Sequence, residues 1–207
     1  MFLKISKLAK MMKAANKAGT LRIGCDPETM GYRGYYISGS WWCVHLSIEG
    51  IHKDIKAEIV RYLGDMPEGG EEYQINEGMA QGCVYGALDM YLPKWDVNTL
   101  NEYYWTRYMI TCTHDIRIYQ DPDTQRMIGM DEDMLGLLDH NATTSCNLSM
   151  PRLSNRGTLI WSDDDTTLEL YPMDISRTKF VEYMKYCDLL EIDETEPTAG
   201  RARFEIA

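Results

Sequence analysis

Hydrophobic positions recur at helical spacing from the start of the chain. At about 100° per residue, Ile5, Leu8, Met12 and Ala15 share one face, with Ala9 at its edge. Lys7, Lys10, Lys13 and Lys17 fall on the opposite arc, and Lys4 lies at its edge. Gly19 is a natural terminator, so the pattern predicts an amphipathic helix over Leu3–Ala18. Short apolar runs separated by turn residues follow. Leu21–Gly24, Tyr35–Ser38 and Trp41–Ser47 are predicted strands, with turns at Asp26-Pro27 and Gly39-Ser40. Ile51, Ile55, Ile59 and Leu63 restore the helical period, while Lys53, Lys56 and Arg61 point elsewhere. Gly64 and Pro67 close that second helix.

Glu71–Gly78 and Gln81–Pro93 are predicted strands, the second broken by Gly86. Asp96–Met109 is predicted helical, capped by Asp96 or Asn98. Met109–Asp131 is predicted to form a hairpin turning at Asp121-Pro122-Asp123. Asp131–His140 gives a short acidic helix, and Gly157–Ile175 a second hairpin with Ser162–Asp165 at its turn. Arg177–Glu191 is a predicted closing helix. The order helix, strands, helix, strands recurs, which implies an α+β fold of two halves, each an antiparallel sheet backed by amphipathic helices. The expected division is 1–95, 96–192, and a flexible tail over 193–207. The echo of Asp26-Pro27-Glu28-Thr29 in Asp121-Pro122-Asp123-Thr124 is the one sign of duplication.

Composition sharpens this picture at a few points. With 44% hydrophobic residues, five Trp and 14 Tyr among 207 residues, the chain is too apolar and aromatic for long disorder. No apolar run approaches the roughly 18–20 residues of a membrane span, and Lys7, Lys10 and Lys13 interrupt any signal-peptide core. The six cysteines are spread evenly without a C-x-x-C pair, which suits reduced, buried thiols in a cytoplasmic protein. In that setting the glycosylation patterns at Asn141 and Asn147 carry no meaning. Charge is distributed unevenly. The first 18 residues hold five lysines and no acid, leaving 16 of the 21 basic residues to face all 32 acidic ones.

The pieces "MFLKISKLAKMMKAA", "TLRIG…YYISGSWWCVHL" and "HKDIKAEIVRYLGDMPEGGEEYQI" resemble one domain of a bacterial sliding DNA clamp, with "MPEGGE" the closest local match. "TTLELYPMDI" is similar to the final strand of such clamps. The chain also has the look of proteins of phages and mobile elements. The clamp resemblance implies a non-enzymatic role in DNA replication: a cytoplasmic ring around duplex DNA that tethers a protein partner, without cofactor, metal or membrane. Inner helices of that family carry Lys and Arg toward phosphates, so Lys4, Lys7, Lys10, Lys13, Lys17, Lys53, Lys56 and Arg61 become the candidate DNA-binding residues. With two domains per chain, a six-domain ring implies a homotrimer. The acidic helix at 131–140 departs from the pattern, and the family's peptide-binding pocket has no matching residues here.

Other readings stand beside this one. The lysines also fit the solvated face of an ordinary amphipathic helix. A second function is that of an acidic binding protein inhibiting a host nuclease or defence complex, its Asp131–Asp133 and Asp163–Asp165 regions meeting a basic partner. A third is a hydrolase with a dispersed site. Asp163–Asp165 suits a hairpin turn better than a metal loop, which needs spaced ligands. Pairings of His114 with Asp115 or Cys112 lie too close along one strand for productive geometry. His45 lies in a strand and can face either way. Tyr35, Tyr36, Trp41 and Trp42 either stack on single-stranded nucleic acid or fill the core, and Tyr103, Tyr104 and Trp105 pose the same choice.

Overall fold

The computed structural model describes residues 2–27, 34–83, 100–111, 113–124, 126–139, 141–142, 150–173, 175 and 202–205. In chain order the elements are α1 (Ile5–Lys17), β1 (Leu21–Cys25), β2 (Gly34–Ser38), β3 (Trp42–Ser47), α2 (Lys53–Leu63), β4 (Glu72–Asn76), β5 (Met79–Cys83), β6 (Tyr104–Thr111), β7 (Asp115–Gln120), β8 (Met127–Asp131), α3 (Glu132–Leu135), β9 (Arg152–Leu153), β10 (Leu159–Ser162), β11 (Thr166–Leu170) and β12 (Ala202–Glu205). The fold is α+β. Eight strands form an antiparallel sheet in the order β5-β4-β1-β2-β3-β11-β10-β9, and four form a second sheet in the order β12-β6-β7-β8. In the smaller sheet β12 runs parallel to β6.

Strand alternation gives the large sheet two unlike faces. Side chains opposite one another in register point the same way. Leu21, Ile23, Ile37, Val44, Leu46, Leu168, Leu170, Leu159 and Trp161 therefore share one face, and all are buried in a single core. Leu8, Met11, Met12 and Ala15 of α1, with Ile55 and Ile59 of α2, enter the same core. The helical period thus seats both helices side by side on the apolar face. Gly64 ends α2 in the left-handed conformation at φ 86°, donating its N–H to the Val60 carbonyl. The small sheet closes the core from another side. Tyr119 packs edge-on between Trp105 (5.6 Å between ring centroids) and Trp161 (6.2 Å), linking the two sheets.

The N-terminal segment is tied down far along the chain. The Lys4 N–H donates to the Leu137 carbonyl, and the Asp139 N–H to the Phe2 carbonyl, each at 2.8 Å. Phe2 is fully buried. Residues 101–103 pair in turn with 151–153: Tyr103 donates to Pro151, Leu153 donates to Asn101, and Arg152 bridges Glu102 at 3.0 Å. Among the described residues, no helix is long and apolar enough to cross a membrane.

Several expectations change. The two halves do not each keep a sheet of their own, because β3 pairs with β11 over five residues, from Trp42↔Leu170 to Leu46↔Thr166. The apolar alternation of the two strands matches, and pairing removes an exposed edge from each. Residues 104–109, expected in a helix, lie in β6. Tyr104, Trp105, Thr106 and Tyr108 are β-formers, and β7 supplies their backbone partners. Within the expected tail, Ala202–Glu205 forms a strand on the open edge of β6. The expected acidic helix shortens to the four residues of α3. The expected closing helix and residues 84–93 of the expected strand lie outside the described residues.

The turn at Asp121 holds the β7–β8 hairpin. Its buried carboxylate accepts from the N–H groups of Asp123 (2.9 Å) and Thr124 (3.2 Å), the Thr124 hydroxyl (2.7 Å) and the Asn101 amide (3.2 Å). Burial pushes its pKa up, but these donors outweigh burial and hold it below the ordinary carboxylate value. A folded pKa below the unfolded one of about 3.9 stabilises the fold above that pH, and the gain is lost as pH falls through the folded value. Asp121→Ala is expected to cost on the order of 2 kcal/mol at neutral pH. Urea denaturation should show the deficit narrowing below pH ~4. A deficit unchanged down to pH ~3 would contradict this assignment.

Candidate functional site

The candidate phosphate-binding residues divide by helix. Lys4 is the N-cap of α1, and Lys10, Lys13 and Lys17 lie along it; all four are exposed. Lys17 falls in the last turn, where a cation complements the helix dipole. Lys7 is different: its side chain is only 24% exposed, and its ammonium pairs with the Asp133 carboxylate of α3. The short acidic helix is thus a counter-charge docked at the start of α1. Lys53, Lys56 and Arg61 of α2 are also exposed, but Asp54 and Glu58 share that helix, and Arg61 lies 3.7 Å from Glu58. Because α1 and α2 pack together on one face of the large sheet, both groups lie on the same side of it. Of these two helices, only α1 is free of acidic residues.

Two cross-strand rows of polar side chains occupy the opposite face of the large sheet. The first runs Glu72, Gly24, Tyr36, His45, Thr167, Ser162 across β4, β1, β2, β3, β11 and β10. The second runs Gln74, Arg22, Ser38, Cys43, Glu169 across β4, β1, β2, β3 and β11. Glu72, Tyr36, His45, Ser38, Cys43 and Glu169 are all buried. The Tyr36 hydroxyl donates to Glu72 Oε2 at 3.0 Å, and the Tyr36 ring lies 5.7 Å from that of His45. Gly24 makes this reach possible, since a Cβ there would sit 2.2 Å from the Tyr36 oxygen. The phenol crosses β1 because β1 offers no side chain at that position.

Glu169 accepts a hydrogen bond from the Thr158 hydroxyl at 2.5 Å, and Thr158 also meets Ser154 at 2.6 Å. Burial raises the Glu169 pKa, opposed by Thr158 and by the charge of Arg156. Burial also pushes the Cys43 thiol well above its usual value, reinforced by the charges of Glu169 and Asp26. Cys43 is therefore a protonated thiol at neutral pH and not an activated nucleophile. Cys25, Cys43 and Cys83 are thiols outside any disulfide.

The remaining candidate chemistry takes structural places. Asp163 Oδ1 accepts from the N–H groups of Asp165 (3.0 Å) and Thr166 (2.6 Å), and Asp165 accepts from the Ser47 hydroxyl at 2.7 Å, so the acidic run makes a hairpin turn. His114 lies 3.4 Å from Asp131, on the neighbouring strand; Cys112 lies outside the described residues. Tyr36 and Trp42 are buried on opposite faces of the sheet, and only Trp41 of that aromatic group is exposed, so they form no shared stacking platform. Tyr103 and Trp105 are buried in the core. Among the described residues, no group of three or more His, Cys, Asp and Glu side chains is placed to hold a metal ion.

Sequence reasoning missed the polar rows. The available signal was the polar member of each alternating pair, at Arg22, Ser38, His45 and Glu169. The strand order that aligns them lies outside any local pattern. No protein-family model matches the chain, and no curated protein matches it.

Substitutions probe the Tyr36 arrangement. Tyr36→Phe is expected to cost about 1–3 kcal/mol by leaving the buried Glu72 carboxylate short of a donor. Gly24→Ala is expected to cost about as much or more, because Cβ meets both the oxygen and the ring carbons of Tyr36. Chemical denaturation checks both, and a neutral Gly24→Ala would show that Tyr36 does not cross β1.

Proposed function

We propose that this protein is a non-enzymatic DNA-associated protein of sliding-clamp type, docking on duplex DNA through the helical side of its large sheet. The observation that supports this best is the solvent arc of α1. Lys4, Lys10, Lys13 and Lys17 are exposed on a helix without acidic residues, in a chain of net charge −11. Burial of Leu8, Met11, Met12 and Ala15 holds the helix on the sheet, so the lysines project from a rigid support. Phosphate contact independent of sequence requires only such point charges. The acidic remainder of the surface repels the duplex and orients the basic face toward it. Lys7 plays a smaller part, being held by Asp133. Lys53, Lys56 and Arg61 extend the same side, diluted by their acidic neighbours. In this reading the surfaces away from DNA tether a protein partner, and the acting form is a closed ring of three chains.

Titration of duplex DNA across a range of salt concentrations tests this. Binding should weaken as salt rises, and changing Lys4, Lys10, Lys13 and Lys17 together to Gln should flatten the log–log slope by roughly 0.9 per lost contact. Gln retains nearly the helix propensity of Lys, so the circular dichroism melt should not move. No binding at low salt, or equal binding by the variant, would remove the reading. Mass in solution tests the ring separately, with a trimer expected.

A further inference from the structure

We propose that the polar face of the large sheet carries a binding site for a small oxyanion-bearing molecule, a phosphate ester or a carboxylate, clasped by Arg22 and Arg156. A pocket of about 220 Å³ opens there, lined among others by Thr20, Arg22, Ser38, Ser40, Arg156 and Glu169. Its floor is the second polar row: Arg22, Ser38, Cys43 and Glu169 stand on four adjacent strands with side chains to the same side. Arg156 reaches the same volume from the turn between β9 and β10.

Charge argues for the class of ligand. Among the described residues, two guanidiniums and one carboxylate line the pocket, in a chain of net charge −11. Burial raises the Glu169 pKa, opposed by the Thr158 hydroxyl and the charge of Arg156. The hydroxyls of Ser38 and Ser40 add neutral polar groups to the lining, while that of Thr20 donates to the Ala15 carbonyl at 3.4 Å. Geometry narrows it further. Arginine presents a planar fork that matches a phosphate or carboxylate through two parallel hydrogen bonds, where lysine offers a point charge. The solvent arc of α1 uses lysine alone, and this pocket uses arginine alone, so the two surfaces suit diffuse and directed anion contact respectively. The volume lies below the roughly 300–1,000 Å³ of drug-sized sites, which fits a ligand of a few heavy atoms.

Isothermal titration of the full chain with ribose 5-phosphate, inorganic phosphate and glycerate tests the site. At least one probe should bind at a single site at millimolar concentration or tighter. Preference for the two phosphates identifies a phosphate ester, and preference for glycerate a carboxylate. Arg156→Gln, on an exposed turn, should weaken binding about tenfold or more, the loss of one charge-assisted hydrogen bond. Arg22→Gln should do the same, provided its melting temperature matches the parent. The Lys4, Lys10, Lys13, Lys17→Gln variant should bind the probe unchanged, which separates this site from the DNA-docking face. Absence of binding by all three probes overturns the proposal. So does binding that survives Arg156→Gln or disappears with the lysines.

Discussion

The pairing of β3 with β11 is the constraint on which the large sheet depends. It joins a five-strand run, β5-β4-β1-β2-β3, to the three strands β11-β10-β9. Its register sets Val44 against Leu168 and Cys43 against Glu169. A shift by one residue would move Leu168 and Leu170 out of the core and Glu169 into it. The same five residue pairs therefore fix both faces at once: the apolar floor on which α1 and α2 rest, and the polar rows on the other side. Trp161, one strand further on, meets Tyr119 and extends this constraint to the small sheet.

Local pattern made α1, α2, β1, β2 and β3 legible, because each repeats a single period over its length. Met11 escaped that reading, although it lies three positions from Leu8 and four from Ala15 on the buried face. The β10–β11 and β7–β8 hairpins were legible from their Asp-rich turns. Tyr104–Tyr108 was not: an apparent cap upstream suggested a helix, against the aromatic residues that favour a strand. Long-range pairing overrode that local cue. The basic candidates on α1 and α2 were legible as exposed positions. The pairing of Lys7 with Asp133 was not, because 126 positions separate the two.

Cations stand on both sides of the large sheet. Lys4, Lys10, Lys13, Lys17, Lys53, Lys56 and Arg61 project exposed from the helices on one side. Arginines stand at a pocket on the other side, beside side chains aligned by register. A buried apolar layer lies between the helices and the polar face. α3 pairs with Lys7 at the start of α1, away from the exposed lysines along it.

The tie between Phe2 and Asp139 has a consequence for biosynthesis. A ribosome adds about 5–20 residues per second, so on the order of ten seconds separate the emergence of these two backbone partners. During that interval α1 has already left the exit tunnel without the segment that seats its first residues. The side chains of Phe2, Leu3 and Leu8, buried in the finished fold, then face solvent or a chaperone. Lys7 likewise waits for Asp133. The opening segment of the chain is made early and becomes native late.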